Sequence, residues 1–124
     1  MSKVLLMDDN SVIRNSVGKV LSRMGHEVQC ASNGEEAIAL YKQTQEHQHA
    51  FDVVILGLAI HGGMGDREAL VQLRSIDMHV KAIVSSGYVY DPVVLGYEKH
   101  GFHAVLAKSY GRQDLITGLH KVLG

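Results

Sequence analysis

Two adjacent carboxylates, Asp8 and Asp9, stand directly behind the apolar run Val4 to Met7. Neighbouring acids in such a place can hold a hard divalent cation such as Mg2+, which takes oxygen ligands. One or both can equally cap a following helix, a job for which Asn10 and Ser11 compete. Ser85 and Lys108 close two further apolar runs; there a serine is ordinarily a turn former and a lysine a solvated end residue. The run Val53 to Leu56 ends in Gly57, which brings neither a nucleophile nor a metal ligand. Neither Ser85 nor Lys108 is specific by itself; the acid pair alone leaves metal binding and helix capping equally open.

The elements that must position these residues follow from periodicity. Short β-branched or aliphatic runs at Val4 to Met7, Val28 to Ala31, Phe51 to Leu56, Ala82 to Val84 and Ala104 to Ala107 read as five strands. Between them, Ile13, Val17, Val20, Leu21 and Met24 share one helical face, as do Ala37, Ile38 and Tyr41, and then Leu70, Leu73 and Ile76. Leu115, Ile116, Leu119, Val122 and Leu123 mark a last helix. Asp91 before Pro92 reads as an N-cap with proline at the first position of a helix reaching to His100. Strands apolar throughout belong inside a parallel sheet covered on both faces. The fold expected is a single α/β unit over residues 1–124, a doubly wound (βα)5 sheet of flavodoxin-like strand order 2-1-3-4-5. In such sheets ligands sit outside the C-terminal strand ends, which is where Asp8, Asp9, Gly57, Ser85 and Lys108 fall.

Composition narrows the function. With 124 residues, 46% hydrophobic and 20% charged, the chain supports one core. A formal charge of -1, with cations and acids interspersed, offers no footprint for nucleic acid or an acidic membrane surface. No apolar stretch approaches the ~20 residues of a membrane span, and a strand-like run follows Met1 where a leader would need a basic region and apolar core. Cys30 stands alone in an apolar run and reads as a small buried thiol, which suits a reducing cytoplasm. Among the eight histidines, His47 with His49 and His100 with His103 have spacings open to metal ligation, and His61 lies in the loop after Gly57; solvated surface positions are the simpler account. The run Gly62-Gly63-Met64-Gly65 lacks a P-loop ending and a full GxGxxG, so it reads as a turn.

Taken together, the order and separations of Asp8-Asp9, the strand ending at Gly57, Ser85 and Lys108 resemble the response-regulator receiver domain from end to end. The resemblance extends over Gly62-Gly63-Met64-Gly65 and Val84-Ser85-Ser86-Gly87-Tyr88, which are similar to receivers attached to hybrid kinases. It implies that the acid pair and a phosphoacceptor aspartate bind Mg2+, that a partner histidine kinase phosphorylates the aspartate, and that Ser85 and Lys108 contact the phosphoryl group. Four positions depart from the family pattern. Gly57 takes the phosphoacceptor's place, His61 stands for a loop proline, Val105 for the aromatic switch residue, and Ser109 for the proline after the lysine.

Three functions follow as expectations. The first is a non-enzymatic signalling module that docks onto a histidine kinase, an output domain or its own copy without phosphate control. Its surface would surround the fourth helix, fifth strand and fifth helix, with Tyr88, Tyr90, Tyr97 and Tyr110 open to supplying contact area or, equally ordinary for tyrosine, to half-buried packing. The second is a phosphorelay receiver of a response regulator or hybrid kinase whose phosphosite was altered by engineering or recent change. The third is a metal- or small-anion-binding module built on Asp8, Asp9 and His61, or on Lys108 and the glycine loop. Mg2+ is expected to bind weakly, through Asp8 and Asp9 alone. Because a non-proline cis bond costs about 2.5 to 4 kcal/mol, the Lys108-Ser109 peptide is expected to be trans, with Lys108 turned away from the pocket.

Overall fold

A computed structural model describes residues 2–46, 50–58, 63–87, 90–108 and 110–124. Strands β1 (Lys3–Met7), β2 (Glu27–Ala31), β3 (Val53–Gly57), β4 (Ala82–Ser86) and β5 (Ala104–Ala107) form one parallel sheet in the order β2-β1-β3-β4-β5. Helices α1 (Ser11–Arg23), α2 (Gly34–Glu46), α3 (Asp66–Ile76), α4 (Pro92–Leu95) and α5 (Arg112–Leu123) alternate with them. The expected doubly wound α/β architecture is the one observed.

Strand alternation divides the core. Leu5, Met7, Val54 and Leu56 face the layer containing α2 and α3, and Val4, Leu6, Val53 and Ile55 face the layer of α1 and α5. From those layers Ala37, Ile38, Tyr41, Leu70 and Leu73 close over one side, and Val17, Leu21, Leu115 and Leu119 over the other. Both faces are thus sealed around β1, β3 and β4, and side-chain chemistry is left to the strand ends.

The structure corrects three sequence expectations. Helix α4 stops at Leu95 and does not reach His100. Asp91 caps it as expected, accepting from the Val93 N–H at 2.8 Å, but the β-branched pair Val93-Val94 is a poor helix former and Gly96 follows at once. Cys30 is exposed, because β2 is an edge strand and its middle residues are only half covered. Ile116, placed on the inner face of α5 by spacing, is 38% exposed.

Candidate functional site

The register sets four strand ends side by side. Met7 pairs with Leu56 and Gly57 with Ser85, so Asp8, Gly57 and Ser85 occupy neighbouring C-terminal ends. Ser86 pairs with Ala107, which brings Lys108 to the same rim. The Leu58 N–H donates to the Ser85 carbonyl at 2.9 Å, and the Lys108 N–H to the Ser86 carbonyl at 2.7 Å, extending the ladder one residue past the strands on both sides.

Asn10 is the helix cap, its side-chain oxygen accepting from the Val12 and Ile13 N–H groups at 2.9 and 3.3 Å. That frees Asp8 for the pocket. Its Oδ1 accepts from the Asn10 N–H at 2.9 Å, and its Oδ2 meets Lys108 Nζ at 2.9 Å. The Asp8 side chain is only 2% exposed and that of Lys108 23%, so the pair is largely shielded from water. Arg14 braces the same turn by donating to the Asp8 carbonyl at 2.7 Å. Asp9 is half-buried beside it.

Lys108 therefore points into the pocket, against the expectation that it would turn away. The cause is electrostatic: a buried carboxylate demands a counter-charge, and Gly57 offers no acid to compete for the lysine. The isomer of the Lys108-Ser109 bond and the positions of His47, His49, His61, Gly62 and Tyr88 lie outside the described residues. Val105 is half-buried and packs against the α2/α3 side of the core.

Gly57 itself is buried and extended, and it is not among the glycines of positive φ. Its backbone conformation is one that any residue adopts. The missing side chain is thus a chemical feature of this site and not a demand of the turn.

Tyr110, two residues past Lys108, takes the half-buried packing that is the alternative to surface contact: its hydroxyl accepts from the Ser85 hydroxyl at 3.4 Å, and burial pushes its ionisation above the usual tyrosine range. The cleft between α1 and this tyrosine measures about 120 Å³ and is lined by Ile13, Ser16, Val17, Lys108 and Tyr110. That is small against the roughly 300 to 1,000 Å³ of ordinary ligand pockets. The glycine run is also accounted for structurally. The Gly34 N–H donates to the Met64 carbonyl at 2.8 Å and the Met64 N–H to Glu35 Oε1 at 2.6 Å, while a Cβ on Gly63 would lie 2.8 Å from that of Asn33. The described part of the loop is docked onto the start of α2, and its amides serve that helix.

Four strand ends carrying an acid pair, a hydroxyl and a lysine on a 2-1-3-4-5 sheet agree with what sequence comparison finds. Residues 4–120 match the response regulator receiver domain. The chain belongs to that family. It is 32% identical over 108 residues to the response regulator receiver protein Anae109_2439 of Anaeromyxobacter, covering 87% of this chain and 43% of that protein. Over 121 residues it is 26% identical to the chemotaxis protein CheY of Thermotoga maritima, covering 97% and 96%. Among solved structures, the receiver domain of the Pseudomonas aeruginosa sensor histidine kinase PA1611, with magnesium coordinated in its active-site cleft, superimposes with a TM-score of 0.85 at 18% identity, covering 99% and 98%. Receiver domains are the phosphotransfer-linked signalling modules of two-component systems, and they bind Mg2+ in the active site.

The donor set of this chain does not fit a resident Mg2+. Each Asp8 oxygen already has a partner, one of them an ammonium that a cation would have to displace. Gly57 contributes no oxygen side chain, and the described residues contain no group of three or more His, Cys, Asp or Glu placed to hold a metal ion.

Proposed function

We propose that this receiver domain acts as a protein-interaction module whose state is set by its fold and not by an aspartyl phosphate. The observation that carries the reading is the Asp8–Lys108 ion pair beside Gly57: the position flanked by Asp8 and Ser85 has no nucleophile, and the lysine is already paired with Asp8. Residues 1–124 act as one unit, with Gly57 the vacated phosphoacceptor position and Ser85 and Lys108 the former phosphoryl contacts. Asp8 and Asp9 bind Mg2+ only weakly, and the magnesium seen in the PA1611 receiver is not a resident group here.

The partners are a histidine kinase, an output domain or a second copy of the chain, met in the cytoplasm. The docking face runs from α4 to α5, where Tyr90, Leu95 and Ile116 are exposed. Tyr97 frames that face, its hydroxyl accepting from Lys121 Nζ at 2.7 Å and its ring lying 5.0 Å from the same ammonium.

A second reading, a phosphorelay receiver with an altered phosphosite, draws on the fact that Asp8, Ser85 and Lys108 still surround position 57. Incubation with acetyl phosphate and Mg2+ tests both. The unaltered protein is expected to take up no label, and hydroxylamine-sensitive labelling of it would overturn the proposal. Labelling of Gly57→Asp would show that the remaining pocket is competent and favour the second reading; an unlabelled Gly57→Asp that remains folded supports the first.

A further inference from the structure

The open edge of the sheet carries a second recognition surface. Helix α1 holds Arg14, Lys19 and Arg23 and no acid, and Lys19 and Arg23 repel one another across one turn. Among the described residues neither Lys19 nor Arg23 forms an ion pair. These cations line a groove of about 400 Å³ between α1 and β2, floored by Val28 and Cys30. On the other side of the same strand a second groove, of about 330 Å³, is walled by Ala39 and Leu40 of α2. Glu36 also lines this second groove, its carboxylate held at 2.6 Å by both the hydroxyl and the N–H of Ser32, which lower its pKa.

Between the two grooves runs the unpaired edge of β2. The Glu27 N–H donates to the Ser2 carbonyl and the Asp8 N–H to the Ala31 carbonyl, so the odd-numbered residues of β2 face β1. Alternation then turns the N–H and C=O groups of Val28 and Cys30 outward, toward no strand of this sheet.

We infer that β2 accepts an extended acidic segment of a protein partner by strand addition. The partner's backbone would pair with Val28 and Cys30, its carboxylates would fall into the α1 groove, and its alternate aliphatic side chains would lie against Ala39 and Leu40. A peptide is favoured over a nucleic acid or an anionic membrane because only an extended polypeptide satisfies the outward backbone groups along with the cations. This surface lies at the sheet edge opposite the proposed α4 to α5 docking face and does not depend on it.

Titration of the full chain with a blocked peptide of alternating Glu and Val, followed by amide NMR, tests the inference. Saturable shifts are expected at Val28, Cys30 and the second half of α1. Reversal of two exposed charges in Lys19→Glu/Arg23→Glu is expected to weaken binding about tenfold or more. Cys30→Pro removes an outward N–H that the native ladder does not use and is expected to abolish binding; if that variant fails to fold, the charge reversal decides alone. Equal binding of a Lys-Val peptide, shifts confined to other surfaces, or retention of affinity by the charge-reversed protein would each overturn it. So would shifts produced by oligo-dT or phosphatidylserine vesicles and not by the Glu-Val peptide, since they would mark a general polyanion surface.

Discussion

Replacing Lys108 by methionine removes the charge from the pocket while keeping most of the side chain's apolar length. At 2.9 Å and an effective dielectric near 20, the attraction to Asp8 is on the order of 5 kcal/mol before desolvation is subtracted. Breaking a fully buried pair costs about 3 to 5 kcal/mol, because the survivor is left as a buried charge without its counter-ion. Here the lysine side chain keeps 23% of its exposure and Asp8 retains the Asn10 N–H, so a smaller loss, about 2 to 3 kcal/mol, is expected for Lys108→Met. For a domain of this size that corresponds to a fall in Tm of roughly 10 °C. The variant should also respond more strongly than the parent to divalent cation: with the ammonium gone, Mg2+ at ten times the variant's Kd would return about 1.4 kcal/mol through mass action. Thermal unfolding of both proteins across a Mg2+ series, with a monovalent salt control at matched ionic strength, reads the loss and the recovery together. A Lys108→Met protein as stable as its parent, or one whose Tm responds to Mg2+ no more than the parent's, would refute the claim that Lys108 serves as the pocket's built-in cation.

Further expectations concern the packing around the site. Asp66 opens α3 buried, with Oδ2 lacking any hydrogen-bond partner, and burial foremost, aided by Asp91 and opposed by Arg67 and the helix amides, holds its carboxyl above the usual range. A raised folded value means that its contribution is fully present below about pH 4 and is lost as pH climbs through the raised value, so Asp66→Asn should gain stability on the parent as pH rises from 4 to 7. Urea unfolding at the two pH values measures this, and a difference independent of pH would count against it. Gly34→Ala would set a Cβ 2.7 to 2.9 Å from Met64 side-chain atoms whose backbone is tied on both sides, with an expected loss of about 1 to 3 kcal/mol. An unchanged Tm would show that this loop yields freely.

The elements read most accurately were those whose burial is complete. β1, β3 and β4 are runs of aliphatic residues because both of their faces are covered, so composition and location report the same fact. β2 mixes Glu27, Gln29 and Cys30 into its run, and the error about Cys30 came from treating an edge strand as a central one. The end of α4 was overshot because Asp91-Pro92 announces where a helix begins, whereas its length depended on Val93-Val94 and Gly96 having little to bury. Strand ends follow directly from strands, and for that reason the sequence alone groups Asp8, Asp9, Gly57, Ser85 and Lys108.

What spacing could not supply was direction. Lys108 is attached at the rim and could face solvent or pocket; the choice is made by Asp8, a hundred residues earlier in the chain, through a charge balance that exists only after folding. Tyr110 follows the same logic, since a tyrosine at that position can cover a surface or lay its ring inward and bring its hydroxyl to Ser85. The direction of Lys108 bears on position 57. An acid at position 57 would stand close to Asp8, where like charges about 5 Å apart repel by about 3 kcal/mol, and would compete for the same ammonium. With glycine there the lysine has a single buried acid to answer, and Asp8 finds its counter-charge among the protein's own side chains. A buried acid already paired with an ammonium has less to gain from an added cation, which is the electrostatic reason the donor set fits Mg2+ poorly.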